Sequence, residues 1–82
     1  MDQTMSRRDK LLDKMRTTPD QIRITEVEAL LRFEGFDLMN RRGSHDTYRR
    51  ADGRVLVVVR PHGRRTTCHP RDIRRILEAL AR

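Results

Sequence analysis

The chain has 82 residues, with 19 Lys or Arg against 12 Asp or Glu, one Cys, no Trp and only 35% hydrophobic residues. A chain this short forms one domain, residues 1–82, around a small core, which excludes a large enclosed substrate cavity. The lone Cys68 cannot close an intramolecular disulfide, and the longest aliphatic run, Val55 to Val59, falls far short of the roughly 20 residues that span a bilayer. A soluble protein of a reducing, cytoplasmic compartment with no membrane contact is expected.

Residues 1 to 5 are expected to fray. Ser6 followed by Asp9 resembles a capping box for a helix reaching about Arg16, with Leu11, Leu12 and Met15 on one stripe. Pro19 breaks it, and Gln21 to Ile24 reads as extended. Thr25 and Glu28 suggest a second capping box, for a helix burying Val27, Leu30, Leu31 and Phe33 and ended by Gly35. A strand over Phe36 to Asn40 is followed by a polar turn, Arg41 to Ser44. His45 to Arg50 and Val55 to Arg60 then form a hairpin about Asp52-Gly53.

A two-residue turn there sets Tyr48 opposite Val57, on the side of Val55 and Val59, with His45, Thr47 and Arg49 on the other side. A slip of one residue reverses the pairing of faces. Pro70 suits the first turn of a last helix whose stripe is Ile73, Ile76, Leu77 and Leu80. The order α-α-β-β-β-α predicts an α+β fold, a three-stranded antiparallel sheet with one face covered by helices and the other open.

The net charge of +7 is unevenly placed. Residues 1–40 balance to −1, from seven basic and eight acidic side chains, whereas residues 41–82 carry twelve Arg and four acids, a balance of +8. Of all 19 cations 17 are Arg, whose forked guanidinium matches phosphate oxygens. Such a field points to a polyanion, most often nucleic acid.

Gly43-Ser44-His45 opens the second strand amid Arg41, Arg42 and Arg49. Gly allows close backbone approach to a phosphate, Ser supplies a hydroxyl donor, and His moves protons near neutral pH. That set suits RNA backbone cleavage: His45 takes the 2′-OH proton and Arg side chains stabilise the anionic phosphorane. As a bare motif Gly-Ser-His is weak, and on its own it reads more readily as an exposed strand His beside a turn.

His62, between Pro61 and Gly63, reads either as a second proton donor or phosphate ligand or, more commonly for a loop His beside Pro, as a merely exposed residue. His69 belongs near a helix N-cap. Adjacent Cys68 and His69 cannot readily chelate one ion, and no Cys-x-x-Cys pair exists, so no metal or other cofactor is expected. Cys68 instead has a packing role against Ile73. Tyr48 is the only aromatic of the basic half, which argues against base stacking as the main source of RNA affinity. The segment after Phe33 lacks the periodicity of a recognition helix.

The sequence resembles the HicA family of type II toxin-antitoxin toxins from residue 8 to about residue 80. The likeness rests on Lys10-Leu11-Leu12, Lys14-Met15-Arg16, Glu34-Gly35-Phe36, Gly43-Ser44-His45 and Ile73-Arg74-Arg75-Ile76-Leu77, in that order. The resemblance implies a double-stranded-RNA-binding-like fold and a metal-independent mRNA interferase. It also implies a catalytic His45 turned by Gly43 and Ser44, and a HicB-like antitoxin that covers the site of a toxin monomeric on its own.

Two positions depart from the family pattern. Asp46 follows the His where an apolar or neutral residue is usual, and is expected to repel RNA phosphate or to meet a partner. Pro61 directly precedes His62, so no family role passes to His62. Beside the endoribonuclease reading stand a noncatalytic RNA-binding module using the same Arg surface and, more weakly, a DNA-binding regulator.

Overall fold

In the computed structural model, which describes residues 5–81, Ser6 caps the first helix, α1 (Arg7–Thr17), by accepting a hydrogen bond from the Asp9 backbone N–H at 3.1 Å. All of the expected frayed segment except Met5 lies outside the described residues. A single 3-10 turn, Pro19–Gln21, follows, so the extended stretch expected from Gln21 is confined to Ile22 and Arg23.

The second helix, α2 (Ile24–Phe33), begins earlier than the Thr25–Glu28 pairing suggests. Arg23 is held extended by a bridge to Thr67, and Glu26 Oε1 accepts from the Arg23 N–H at 2.9 Å, so Glu26 supplies the capping carboxylate. Val27, Leu30 and Leu31 are buried as expected. Phe33 is not: at 50% exposure it lies off the stripe those three define and packs outside the core.

After Gly35 come β1 (Phe36–Arg42), β2 (His45–Arg50) and β3 (Val55–Val59), one antiparallel sheet in the order β1-β2-β3. Arg41 and Arg42 therefore belong to a strand, not to the turn expected for them. Only Gly43 and Ser44 turn. Gly43 has φ +58°, the left-handed value that a two-residue hairpin requires at its first central position, and Arg42 and His45 pair across the turn.

The second hairpin corrects the expected register. Arg50 donates to the Arg54 carbonyl at 2.9 Å and Gly53 donates back to Arg50 at 2.9 Å, giving a three-residue loop, Ala51 to Gly53, with Gly53 at φ +92°. Tyr48 consequently faces Leu56, and Thr47 faces Val57. Asp46, Tyr48 and Val58 are buried, whereas His45, Arg49, Val55 and Val57 are exposed. The valines at 55, 57 and 59 thus share the open face with His45, Thr47 and Arg49, while Tyr48 turns toward the helices.

Pro70 opens the last helix, α3 (Pro70–Leu80), and His69 caps it, its Nδ1 accepting from the Arg71 N–H at 3.0 Å. α2 packs on β1, α3 on β3, and α1 against both helices. This is the expected α+β arrangement, consistent with a double-stranded-RNA-binding-like fold. The core runs through Met15, Ile22, Val27, Leu30, Leu31, Phe36, Tyr48, Val58, Cys68, Ile73 and Ile76. Arg50 stacks over the Phe36 ring at 5.0 Å and closes one end. Ion pairs from Arg8 to Glu34 and from Lys14 to Glu26, the latter at 2.7 Å, tie α1 to the α2 region.

Candidate nucleic-acid interface

Strand register divides the open face into three cross-strand rows. Arg42, His45 and Val59 form the first, Asn40, Thr47 and Val57 the second, and Asp37, Arg49 and Val55 the third. His45 is exposed and is the first residue after the Gly43-Ser44 turn, so a hairpin end fixes its backbone while its side chain meets solvent. Directly paired antiparallel residues have Cα atoms about 5 Å apart, which puts Arg42 beside His45. Arg49 lies four residues along β2, about 13 Å of strand. Arg42 is thus the open-face arginine nearest His45, and Arg49 stands two rows away, opposite Asp37.

Arg41 is separated from this group. An irregularity between Leu38 and Asn40 shifts the alternation of β1, so that Arg41 pairs with Asp46 and faces the helices. Its Nε donates to Asp46 Oδ1 at 2.9 Å and its Nη2 to Asp46 Oδ2 at 3.3 Å, while Glu28 approaches to 3.7 Å. The hydrogen bond it donates to Asp46, together with the charge of that carboxylate, pushes the Arg41 guanidinium further up from its ordinary range.

Asp46 itself is completely buried. Arg60 Nη1 stands 3.7 Å from its second oxygen, so a carboxylate on β2 is clamped by guanidinium groups from β1 and from beyond β3. Neither role expected for Asp46 fits this position, since a side chain under the sheet repels no phosphate on the open face and meets no partner there. Its place is structural, immediately beneath His45.

Arg60 is the participant that sequence reasoning missed. Its backbone N–H donates to the Ser44 carbonyl at 2.7 Å, bracing the turn before His45. The signal for it was the hairpin register, which the assumption of a two-residue turn concealed. Beyond Arg60, His62, Arg65, Thr67 and His69 border a small concavity next to Val59. No group of three or more His, Cys, Asp or Glu among the described residues is arranged to hold a metal ion. No helix there is long and apolar enough to cross a membrane.

Exposed Val55 and Val57 beside Arg49 and Arg42 give the open face an apolar strip edged by guanidinium groups. Such a face can grip a backbone by charge and offers few rings for base stacking. Residues 24–81 match the model of a family described as the HicA toxin of bacterial toxin-antitoxin systems. Comparison with curated proteins and with solved structures gives no significant match.

Proposed function

The chain belongs to the HicA toxin family of bacterial toxin-antitoxin systems, and on that premise we propose that it is a metal-independent endoribonuclease that cleaves messenger RNA. The observation that carries the reading is the row Arg42–His45 at the mouth of a hairpin: an exposed imidazole with a guanidinium directly across the ladder. His45 takes the 2′-OH proton, and the oxygen so freed attacks the adjacent phosphorus. Arg42 holds the non-bridging oxygens as charge grows on them. A proton delivered to the departing 5′-oxygen completes the exchange, leaving a 2′,3′-cyclic phosphate and a free 5′-hydroxyl. Gly43 and Ser44 shape the turn, Ser44 adds a hydroxyl donor at its edge, and Arg49 holds a neighbouring phosphate.

The cytoplasmic partner in this reading is a HicB-like antitoxin that presents acidic groups to the basic half of the chain. Its association should therefore slow steeply as salt is added, which stopped-flow mixing measures; a salt-independent rate contradicts a charge-steered encounter.

The test of the enzymatic reading compares the native chain with His45→Ala, both checked for folding and RNA binding, by growth arrest and by RNA cleavage in EDTA. Loss of cleavage with binding retained is the expected result. Equal cleavage by both chains removes His45 from the mechanism, and binding without any cleavage by the native chain makes it a noncatalytic RNA-binding module.

A further inference from the structure

The concavity past the end of β3 is lined by Val59, Arg60, His62, Arg65, Thr67 and His69, with Pro61 and Asp72 completing the rim. It is a small open hollow with about 60 Å³ of space, enough to seat a phosphate group.

Its walls are set by the backbone. Cys68 N–H donates to the Ile22 carbonyl at 2.8 Å and Thr67 bridges to Arg23, which anchors one side. On the other side the Arg65 N–H reaches the His62 carbonyl at 3.4 Å, so one tight turn carries both side chains. Among the described residues neither His62 nor Arg65 has a side-chain partner. His69 accepts at Nδ1 from the Arg71 N–H, which leaves Nε2–H as its free donor. The one carboxylate at the rim, Asp72, lies 3.6 Å from Arg75, and Arg60 is shared with Asp46. What remains on offer is a set of donors: one guanidinium, two imidazoles and the Thr67 hydroxyl.

Val59 belongs both to this wall and to the row of His45, with which it pairs directly. The concavity is thus one strand away from the proposed scissile position. We propose that it is a phosphate subsite that takes a backbone phosphate of the RNA strand flanking the bond at His45. This rests on the RNA-cleaving reading for the identity of the ligand. It extends the contact surface beyond the open sheet face and assigns His62, Arg65 and His69 to substrate binding.

The experiment titrates a 2′-O-methyl oligoribonucleotide, which lacks the nucleophilic hydroxyl, into the native chain and into a His62→Ala/Arg65→Ala variant, following fluorescence anisotropy over a range of salt. Thermal unfolding confirms that the variant folds, and Thr67→Val serves as a second, nearly isosteric variant. The expected result is about tenfold weaker binding by the double variant. The salt slope should also become shallower by about 0.7 for one lost phosphate contact on a single strand.

Unchanged affinity and slope in both variants overturn the subsite. So does a loss confined to binding of an acidic protein partner, or inorganic phosphate binding there as tightly as the oligonucleotide. Cleavage of ordinary RNA is followed separately. A chain that binds in this way and never cleaves removes the nuclease reading and leaves the subsite standing, whereas unchanged binding by the variants of a chain that does cleave removes the subsite alone.

Discussion

Arg42 and His45 pair directly across the two-residue turn that joins the first two strands, whereas Arg49 stands two rows away on the same face. The two arginines are therefore expected to divide binding from chemistry. On the proposed mechanism Arg42 meets charge developing in the transition state, so Arg42→Ala should lower kcat on the order of a hundredfold with little change in KM. Arg49→Ala should raise KM severalfold and leave kcat near native. Steady-state cleavage of a short RNA measures both, and the opposite split would place the reacting phosphate at the far end of the face.

Asp46 is the one fully buried charged side chain among the described residues, and Arg41 holds both of its oxygens. Replacing Asp46 by Ala loses hydrogen bonds to a charged group, a cost of about 2 kcal/mol. Arg41→Ala is the worse change, because it leaves the carboxylate buried with only Arg60, at 3.7 Å, to offset its charge. In urea unfolding the double variant should be no less stable than Arg41→Ala alone. Additive losses from the two changes would show that they do not act on one interaction.

Local chemistry made much of this fold readable from the residues. Ser6, Gly35, His69 and Pro70 mark helix ends through backbone groups that need caps or a left-handed turn, and the stripes of α2 and α3 follow from helical spacing. Long-range choices stayed hidden. Asp52-Gly53 is compatible with either a two- or a three-residue loop, and the difference of one residue decides whether Tyr48 shares a face with Val55 or with Val58. The irregularity at Met39 leaves no mark in composition, yet it sends Arg41 under the sheet and keeps Arg42 above it. Glu26 outcompetes Glu28 for the cap because Thr67, more than 40 residues away, holds Arg23 in place.

Acid should weaken the fold through Asp52 and Glu26. Hydrogen bonds from Arg50 and from the Arg54 backbone N–H hold the Asp52 carboxyl at about 2, below its ordinary 3.8. Burial acts to raise Glu26, but the Arg23 N–H and the Lys14 ammonium outweigh it and leave this carboxyl below its ordinary 4.5. Each group is more acidic folded than unfolded, so its stabilisation is complete above the unfolded value and disappears as the pH falls through the folded one. The melting temperature should hold steady above about pH 5 and decline toward pH 2. Asp52→Asn should flatten the lower part of that decline, since this exposed turn is where Asp52 acts. An unchanged slope would dissociate the turn from acid unfolding.

Cys68 should report on opening of the core. It is buried beside Ile73 and Ile76, and burial, with lesser effects from Asp72, Glu26 and Glu28, pushes its thiol up to about 11. At pH 8 the native protein therefore holds almost no thiolate, the form that reacts with alkylating agents. Labelling by iodoacetamide should be slow in the folded chain and rapid in denaturant. The Arg41→Ala variant should label faster than the native protein in proportion to its lost stability, provided that exchange occurs through unfolding. Equal labelling rates for native and variant chains would mean that the segment from Thr67 to His69 opens locally, independent of the clamp on Asp46.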